Sequence, residues 1–185
     1  MKRAAVFLDR DGTINRDPGY LSDPDGFELF PRAGEGMRLL AESGFALVVV
    51  SNQSGVGRGL IAPSQLDEIH ERMKSKLREE GVELDDIYYC PHHPGERCSC
   101  RKPSPLLVLS AAEKLGLDLA SSYFVGDQAT DILTGKNAGL RTVLVKTGEG
   151  LKSLEEFEKL KADCVEEDLL AAARWIVADR KGRSG

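Results

Sequence analysis

The sequence predicts an α/β fold, with a Rossmann-like parallel β-sheet flanked by helices. Short apolar runs alternate with helical patterns along most of the 185 residues, which is typical of βαβ units. The runs are rich in Val, Phe and Leu with little polar alternation, so their strands are expected to be buried on both faces, as in parallel sheets. Such a sheet binds its ligands beyond the carboxyl ends of its strands.

Five apolar runs are predicted to be strands. Each is short and is followed by a polar or turn-forming residue, as expected for a buried strand that ends in a loop. The predicted strands cover residues 4–8, 45–50, 87–90, 123–125 and 142–145.

Helical patterns occupy most of the segments between and after these strands. Gly44 is placed to end the first helix, Pro63 to begin the second and Gly81 to end it. Gly116 and Gly139 stand at the ends of two more. The predicted helices cover residues 34–43, 63–80, 105–116, 130–138, 153–161 and 166–180.

Residues 1–180 are predicted to form one domain, followed by a loose tail at 181–185. The net charge of −5 and the absence of a basic block argue against nucleic-acid binding. No apolar run approaches the length of a membrane span or of a signal-peptide core. We therefore expect a cytoplasmic protein that binds neither nucleic acid nor membrane, and a monomer, since the sequence lacks an exposed apolar heptad pattern.

Two carboxylates follow the first predicted strand in the segment Asp9-Arg10-Asp11-Gly12-Thr13. The glycine permits a sharp turn, which would bring the carboxylates of Asp9 and Asp11 together to hold a divalent cation and a phosphoryl group. An Asp-rich turn is also ordinary loop chemistry, so this segment alone does not decide the function.

Further candidate residues follow the next two strands. Ser51 begins a polar turn whose hydroxyl and backbone N–H groups can bind phosphate oxygens. Lys102 can neutralise a phosphoryl group, while Arg101 can bind a second anion through its planar fork. Taken alone, the first segment is an ordinary turn and the second a solvated basic pair.

Asp127 and Asp131 follow the fourth predicted strand, four residues apart and on the same side of a helix N-terminus. Helix capping and the helix dipole would also explain acids at these positions. That explanation does not account for Asp9 and Asp11.

The loop after the third strand contains a metal-ligand pattern, Cys-x-His-x5-Cys-x-Cys, formed by Cys90, His92, Cys98 and Cys100. Three thiolates and one imidazole satisfy tetrahedral Zn²⁺ and leave no open position, so the predicted zinc is structural. Two disulfides are the alternative, which a reducing compartment disfavours. His93 is expected to be a surface or substrate-side group, and His70, in a polar helix, to be solvated.

Together these segments resemble the haloacid dehalogenase (HAD)-like phosphatases, whose four motifs are Asp-x-Asp-Gly-Thr, a Ser or Thr, a Lys, and Gly-Asp-x-x-x-Asp. The resemblance implies that Asp9 is a nucleophile forming an aspartyl-phosphate and that Asp11 is the general acid and base. Ser51 and Lys102 would stabilise the transferring phosphoryl group, and Asp131 would orient Lys102 or a metal-bound water. Mg²⁺ would be held by the Asp9 carboxylate, the Asp11 backbone carbonyl and Asp127.

The zinc loop narrows the resemblance to the histidinol-phosphatase-like branch. Within it, the chain is similar to the heptose-bisphosphate phosphatases over nearly its whole length, on residues 7–15, 19–20, 45–50, 52–55, 87–94 and 100–103. The implied partner is a small-molecule sugar bisphosphate, D-glycero-D-manno-heptose 1,7-bisphosphate, which would lose its 7-phosphate. The implied substrate contacts are Asp17, Pro18, Gly19, Tyr20, Asn52, Gln53, Ser54, Arg101 and Gln128.

Two departures keep other interpretations open. The segment between His92 and Cys98 is short and closer to the histidinol-phosphate phosphatase spacing, and Gln128 stands where a Lys is expected. Histidinol-phosphate phosphatase is therefore the alternative within the same reaction class, and a catalytically silent, zinc-stabilised binding module is the alternative outside it. The sequence leaves little room for a large cap domain, so the pocket is expected to be open.

Overall fold

The computed structural model describes residues 2–150 and 160–183, which form a parallel sheet between two layers of helices. The strands are β1 (Ala5–Leu8), β2 (Ala46–Asn52), β3 (Asp86–Cys90), β4 (Tyr123–Gly126), β5 (Arg141–Val145) and β6 (Cys164–Glu166). The α-helices are α1 (Ala33–Glu42), α2 (Ser54–Gly57), α3 (Pro63–Glu79), α4 (Leu106–Leu115), α5 (Ala129–Asn137) and α6 (Leu169–Arg183), with 3₁₀ turns at Pro24–Gly26 and Leu119–Ser121.

The strand order is β3-β2-β1-β4-β5-β6, and every pair is parallel. The chain builds outward from β1 to β3, then returns to place β4 on the other side of β1 and builds outward again. The order therefore reverses between β1 and β4, and the carboxyl ends of strands at such a switch point form a crevice.

Both faces of the sheet are buried because successive side chains point to opposite faces. Val6 and Leu8 lie in a core cluster with residues of α1, α3 and α6. Ala5 and Phe7 lie in a second cluster with residues of α4. Helix α5 packs on this second face through Ile132 against β5. The apolar runs that predicted strands are thus explained by helices on both sides.

The α/β fold class and its five predicted strands are confirmed, while a sixth strand was missed. Strand β6 has only three residues and pairs with the edge of β5, with Cys164 opposite Val143. It is a short edge strand with partly exposed residues and has no apolar run to mark it. The helix predicted over 166–180 is present as α6, but its predicted start at residue 166 is wrong, because β6 and a turn precede α6. The helix predicted at 153–161 lies almost wholly outside the described residues.

Two smaller expectations also differ from the structure. The segment after β2 contains the single helical turn α2, where only a polar turn was expected. His70 is buried rather than solvated, because its ring packs against Tyr89 with the ring centroids 5.3 Å apart. Among the described residues, none of the helices has both the length and the apolarity to cross a membrane.

Candidate active site

Asp9 and Asp127 meet at the switch point of the sheet. Leu8 of β1 pairs with Val125 of β4, and the Asp9 N–H continues the ladder by donating to the Val125 carbonyl at 3.0 Å. Asp131 joins them from the first turn of α5. Ligand oxygens of Asp9, Asp127 and Asp131 all lie within 4.8 Å of one another, and all three side chains are buried.

Lys102 supplies the positive charge of this cluster. Its Nζ lies 2.8 Å from Asp9 Oδ1 and 2.6 Å from Asp131 Oδ1, and it donates to the Val50 carbonyl at 3.0 Å. Burial alone would lower the pKa of Lys102, but the charges of Asp131 and Asp9 outweigh it and raise the pKa. The ammonium is therefore charged and fixed between two carboxylates.

The remaining negative charge suits a divalent cation. Burial, reinforced by the charge of Asp131, raises the pKa of Asp9 to about 7 even though Lys102 opposes the shift. Burial and the charge of Asp9 likewise raise the pKa of Asp127 to about 8. Buried carboxylates that repel one another are stabilised by a bound cation, and a hard cation such as Mg²⁺ prefers oxygen ligands. The residues present therefore fit magnesium.

Asp11 is held by side-chain donors on both of its oxygens. Oδ1 accepts from Arg10 Nε at 2.9 Å and from Asn15 Nδ2 at 3.0 Å. Oδ2 accepts from Arg10 Nη2 at 2.6 Å and from Gln53 Nε2 at 2.8 Å. Burial works to raise the pKa of Asp11, but the Arg10 charge and these hydrogen bonds outweigh it and lower the pKa. This arrangement fits the carboxylate form of Asp11.

Two residues of β2 and the turn after it connect this cluster to the rest of the site. Gln53 Nε2 also donates to the Ser51 hydroxyl at 2.7 Å, so Ser51 and Asp11 share one amide. Asn52 Oδ1 accepts from the Lys102 N–H at 3.0 Å, and Asn52 Nδ2 donates to the Lys102 carbonyl at 3.3 Å. The side chain of Asn52 is therefore committed to the backbone of Lys102.

The cluster opens into a cleft of about 230 Å³. Its floor contains Asp9, Asp11 and Lys102, and its walls include Arg101 and the exposed Tyr20. The predicted substrate contacts that line this cleft are Asp17, Gly19, Tyr20, Asn52, Gln53, Ser54, Arg101 and Gln128. Pro18 lies instead in an adjoining cleft, which shares Asp17 with the first.

The Cys/His loop forms a second, separate cluster. Cys90 Sγ lies 3.5 Å from His92 Nδ1 and 3.6 Å from Cys98 Sγ, and His92 Nδ1 lies 3.2 Å from Cys100 Sγ. Sulfurs at ~2.3 Å from a tetrahedral zinc would stand roughly 3.8 Å apart, which is close to the spacing here. All cysteines are free thiols. The four side chains predicted to bind metal are thus together, and this donor set fits zinc.

The Cys/His loop is attached to the segment that follows β2 through backbone hydrogen bonds. Gln53 N–H donates to the Cys90 carbonyl and Gly57 N–H to the Pro91 carbonyl, both at 2.8 Å. A Cβ on Gly57 would lie 2.3 Å from the backbone nitrogen of His93. The close approach of α2 to the loop therefore requires glycine at position 57, and loop and site are mechanically connected.

Curated relatives identify the family. The D-glycero-beta-D-manno-heptose-1,7-bisphosphate 7-phosphatase of Yersinia pestis is 45% identical over 181 residues, covering 94% of this chain and 89% of the relative. The protein of that name from Escherichia coli K12 is 47% identical over 153 residues, covering 78% and 80%. The chain belongs to the heptose-bisphosphate phosphatase family. Residues 99–172 also match the HAD-hydrolase-like family.

Solved structures agree with this assignment. A heptose-bisphosphate phosphatase from B. bronchiseptica, complexed with magnesium and phosphate, has a TM-score of 0.89 at 34% identity and covers 95% of this chain and 99% of that one. The corresponding protein from Burkholderia thailandensis has a TM-score of 0.74 at 31% identity, with the same coverage. The HAD-like fold and phosphatase activity predicted from the four motifs are confirmed, whereas a catalytically silent binding module finds no support.

Several residues that shape the site of this member of the heptose-bisphosphate phosphatase family were not predicted from its sequence. Arg10 and Asn15 hold Asp11, as described above. Thr13 Oγ1 donates to Asp127 Oδ1 at 3.2 Å, and the Glu149 N–H donates to Asp127 Oδ2 at 2.9 Å. Arg10 and Thr13 lie inside the first motif, where their position was a usable signal. The segment after β5 carries no motif, and sequence alone gave no reason to assign it to the site.

Proposed function

We propose that the protein is a Mg²⁺-dependent phosphomonoesterase that removes the 7-phosphate of D-glycero-β-D-manno-heptose 1,7-bisphosphate. The observation that carries this proposal is the buried Asp9–Lys102 ion pair at the floor of a cleft, where Asp131 also contacts Lys102 and Asp127 lies beside Asp9. The names of the curated relatives support the 7-phosphate and the β anomer. The magnesium and phosphate of the B. bronchiseptica structure support the cofactor.

The reaction begins with attack of the Asp9 carboxylate on phosphorus. A bond forms between Asp9 and phosphorus, and the bond from phosphorus to the sugar oxygen breaks while that oxygen takes a proton from Asp11. Water then attacks the phosphorus of the aspartyl-phosphate while Asp11 removes a proton from that water. The bond between Asp9 and phosphorus breaks, which regenerates the Asp9 carboxylate and releases inorganic phosphate. Asp11 thus ends each cycle protonated, as it began, with a proton taken from the water in place of the one it gave to the sugar.

The contacts of Asp11 bear on both halves of this cycle. Its four hydrogen bonds, two from Arg10 and one each from Asn15 and Gln53, suit the carboxylate that deprotonates water. Donation to the leaving oxygen requires the protonated form, in which at least one of these hydrogen bonds must be given up. Asp11 therefore exchanges a protein contact for a substrate contact during the first half.

Charge stabilisation is divided between the protein and the metal. Lys102 and the Ser51 hydroxyl would bind the phosphoryl oxygens during transfer. Asp9, Asp127 and the Asp11 backbone carbonyl would hold Mg²⁺, which neutralises the developing charge when bound. Asp131 would act through Lys102, which it contacts at 2.6 Å. Each of these assignments is part of the proposal.

Substrate selection is assigned to the walls of the cleft. Arg101 lines it, and its buried Nη1 has no hydrogen-bond partner within residues 2–150 and 160–183. An unpaired guanidinium nitrogen suits the C1 phosphate that remains after the 7-phosphate has left. Asp17, Gly19 and Tyr20 would contact the sugar from the opposite wall, with Pro18 bracing the loop and Ser54 and Gln128 at the rim. Gln128 is exposed and offers an amide where the family resemblance leads us to expect the charge of a Lys.

Zinc in the Cys/His cluster is a separate part of the proposal. With four protein ligands the ion would have no free position, so it would stabilise the loop and take no part in the reaction. The backbone hydrogen bonds to Gln53 and Gly57 then explain why the loop needs to be rigid. A cytoplasmic location, which would keep the thiols reduced, and a monomeric state belong to the same proposal.

The deciding experiment measures phosphate release with Mg²⁺ from heptose 1,7-bisphosphate, heptose 1-phosphate and histidinol phosphate in parallel. We expect selective loss of the 7-phosphate and no release from the 1-phosphate. Histidinol phosphate is the second candidate because of the short segment between His92 and Cys98, and a preference for it would reassign the substrate while leaving the roles of Asp9 and Asp11 unchanged. Release from none of the three would refute the proposed activity.

A further inference from the structure

The carboxylate of Asp127 is enclosed by two glycines that belong to different loops. A Cβ on Gly12, in the turn after β1, would lie 2.2 Å from Asp127 Oδ2, and a Cβ on Gly148, in the turn after β5, would lie 2.3 Å from the same atom. Both glycines have positive φ, 84° and 58° respectively. A side chain at either position would force the Asp127 carboxylate to shift, and both backbone conformations favour glycine, so the carboxylate is closely packed between the two loops.

The turn at residues 147–149 is fastened at both ends to the candidate magnesium site. The Thr147 hydroxyl donates to the Gly12 carbonyl at 2.7 Å, and the Glu149 N–H donates to Asp127 Oδ2 at 2.9 Å. The Gly150 N–H closes the turn on the Thr147 carbonyl at 3.0 Å. The 147–149 turn supplies none of the proposed magnesium ligands, but it bonds directly to Asp127 and to the residue that follows Asp11, and both Asp127 and Asp11 are proposed ligands.

These contacts fix the Asp11 backbone carbonyl as well. The Gly12 N–H donates to the Asn15 carbonyl at 2.9 Å, while the Gly12 carbonyl accepts from Thr147. Because the peptide joining Asp11 to Gly12 is planar and trans, its carbonyl points away from its N–H. Because hydrogen bonds hold both the N–H and the carbonyl of Gly12, the orientation of the preceding peptide, and with it that of the Asp11 carbonyl, is fixed.

The same contacts decide how many oxygens Asp127 can offer. Oδ2 accepts the Glu149 N–H and lies close to both Gly12 and Gly148, while Oδ1, which also lies close to Gly12, accepts a longer hydrogen bond from Thr13 at 3.2 Å among the described residues. Oδ1 is therefore the less committed of the two oxygens and the one placed to bind a cation. Mg²⁺ uses single carboxylate oxygens in a near-octahedral shell, whereas the larger Ca²⁺ accepts more ligands and often takes both oxygens of a carboxylate.

We propose that the 147–149 turn is a positioning element of the magnesium site: it holds Asp127 so that one oxygen alone reaches the cation, and thereby favours Mg²⁺ over Ca²⁺. This inference rests on the proposed function, because it requires magnesium between Asp9 and Asp127. Thr147 is its key side chain, since it joins the turn to the backbone next to Asp11.

The test is calorimetric titration of metal-free active sites, with zinc retained, using Mg²⁺ and Ca²⁺ separately. We expect Thr147→Val to weaken Mg²⁺ binding roughly tenfold, the size seen when residues supporting metal ligands are removed, and to reduce the preference for Mg²⁺ over Ca²⁺. Thr147→Ser keeps the hydroxyl and should restore both values. Gly148→Ala, which drives a Cβ into Asp127, should weaken Mg²⁺ binding further.

Thr134→Val is the matched control. Thr134 is buried and its hydroxyl donates to a backbone carbonyl, that of Thr130, at 2.6 Å, but it lies within α5 and away from Gly12. This variant should keep wild-type Mg²⁺ binding. If Thr147→Val matches Thr134→Val in both metal affinities, or if Thr147→Ser fails to rescue, the positioning role is wrong. If the wild-type protein hydrolyses the substrate without binding Mg²⁺, or neither hydrolyses the substrate nor binds Mg²⁺, then the proposed function itself is wrong. The inference about the 147–149 turn is then wrong as well.

Discussion

The ammonium of Lys102 lies 2.8 Å from the carboxylate of Asp9, although Asp9 directly follows β1 and Lys102 lies far along the chain, between β3 and α4. The Asn52 side chain holds the backbone of Lys102 at both its N–H and its carbonyl. Lys102 also follows Cys100 of the Cys/His loop by only two residues, so that loop helps to position it. The site therefore centres on a buried ion pair between Asp9, which directly follows β1, and Lys102, which directly follows the Cys/His loop. This relationship determines what the site variants should do.

Replacing the proposed nucleophile should separate activity from folding. Asp9→Asn removes the attacking carboxylate, so we expect phosphate release to fall by at least about a thousandfold. The fold should survive, because the substitution also removes repulsion with Asp127 and Asp131, and Lys102 keeps its contact with Asp131. Steady-state phosphate assays and thermal unfolding of the metal-free protein measure both effects. Residual activity near the wild-type value would rule out Asp9 as the nucleophile.

Asp131 should affect catalysis through Lys102. Asp131→Asn keeps the shape of the side chain but removes the negative charge 2.6 Å from the Lys102 ammonium. An asparagine has only one side-chain oxygen, so it cannot accept from both Lys102 and the Gln128 N–H in the way that Asp131 does through Oδ1 and Oδ2. We expect kcat to fall roughly 10- to 100-fold with a smaller change in KM. Asp163→Asn, which changes a carboxylate bound to Thr142 away from the site, is the control. Equal kcat values for the two variants would contradict the role of Asp131.

Much of this fold was readable because the buried strands are short apolar runs. The first strand and the acids after it could be located from the sequence, and parallel strands then bring Asp9 and Asp127 to one edge. Strand β6 could not, since its stability comes from pairing with β5 and not from its own three residues. His70 was misjudged because α3 is polar overall, and the sequence does not show that its ring faces Tyr89.

The site shows the same division. Residues inside motifs, such as Asp9 and Lys102, were candidates because of their chemistry and position after strands, and the family resemblance implied their roles. Their supports were not, because Thr147 and Glu149 act through one hydroxyl and one backbone N–H. A backbone donor is present at every residue except proline, so its use is decided by tertiary position alone. Local sequence therefore indicates candidate reacting groups better than the atoms that hold them.

Buried His70 should make stability fall in weak acid. Burial, reinforced by the charges of Arg10 and Lys74, lowers the pKa of His70 to about 4. Below the ordinary pKa of histidine, near 6.5, the unfolded chain therefore binds a proton that the folded protein refuses. The resulting decrease in the free energy of unfolding is absent above that pH and grows as the pH falls toward 4, to at most about 3 kcal/mol.

Asp9 and Asp127 act in the opposite direction, because a raised carboxyl pKa favours the folded state as the pH falls. The prediction is therefore tested as a difference between two proteins. His70→Phe keeps an aromatic ring against Tyr89 and does not titrate. Urea unfolding of wild type and variant at pH 7, 5.5 and 4.5 should show the wild type losing more stability than the variant. Parallel pH curves would show that His70 is not the source.

Removal of the loop metal should disturb the catalytic site from a distance. The Cys/His cluster leads directly into Arg101 and Lys102, and its backbone binds Gln53 and Gly57. Cys98→Ser removes one ligand, so we expect loss of zinc, a lower thermal midpoint and weaker activity even at saturating Mg²⁺. A brief chelator treatment should act differently, since added Mg²⁺ alone should then restore activity.

Cys164→Ser controls for the loss of a thiol, because Cys164 lies in β6 outside the cluster and donates to Glu166. It should keep full zinc content, measured by elemental analysis, together with wild-type activity. Prolonged chelation of the wild type should reproduce the Cys98→Ser behaviour, and only zinc together with Mg²⁺ should reverse it. If the Cys98 variant retains both zinc and activity, the loop is not held by these ligands, and the position of Lys102 is fixed without them by its contacts with Asn52, Asp9, Asp131 and the Val50 carbonyl.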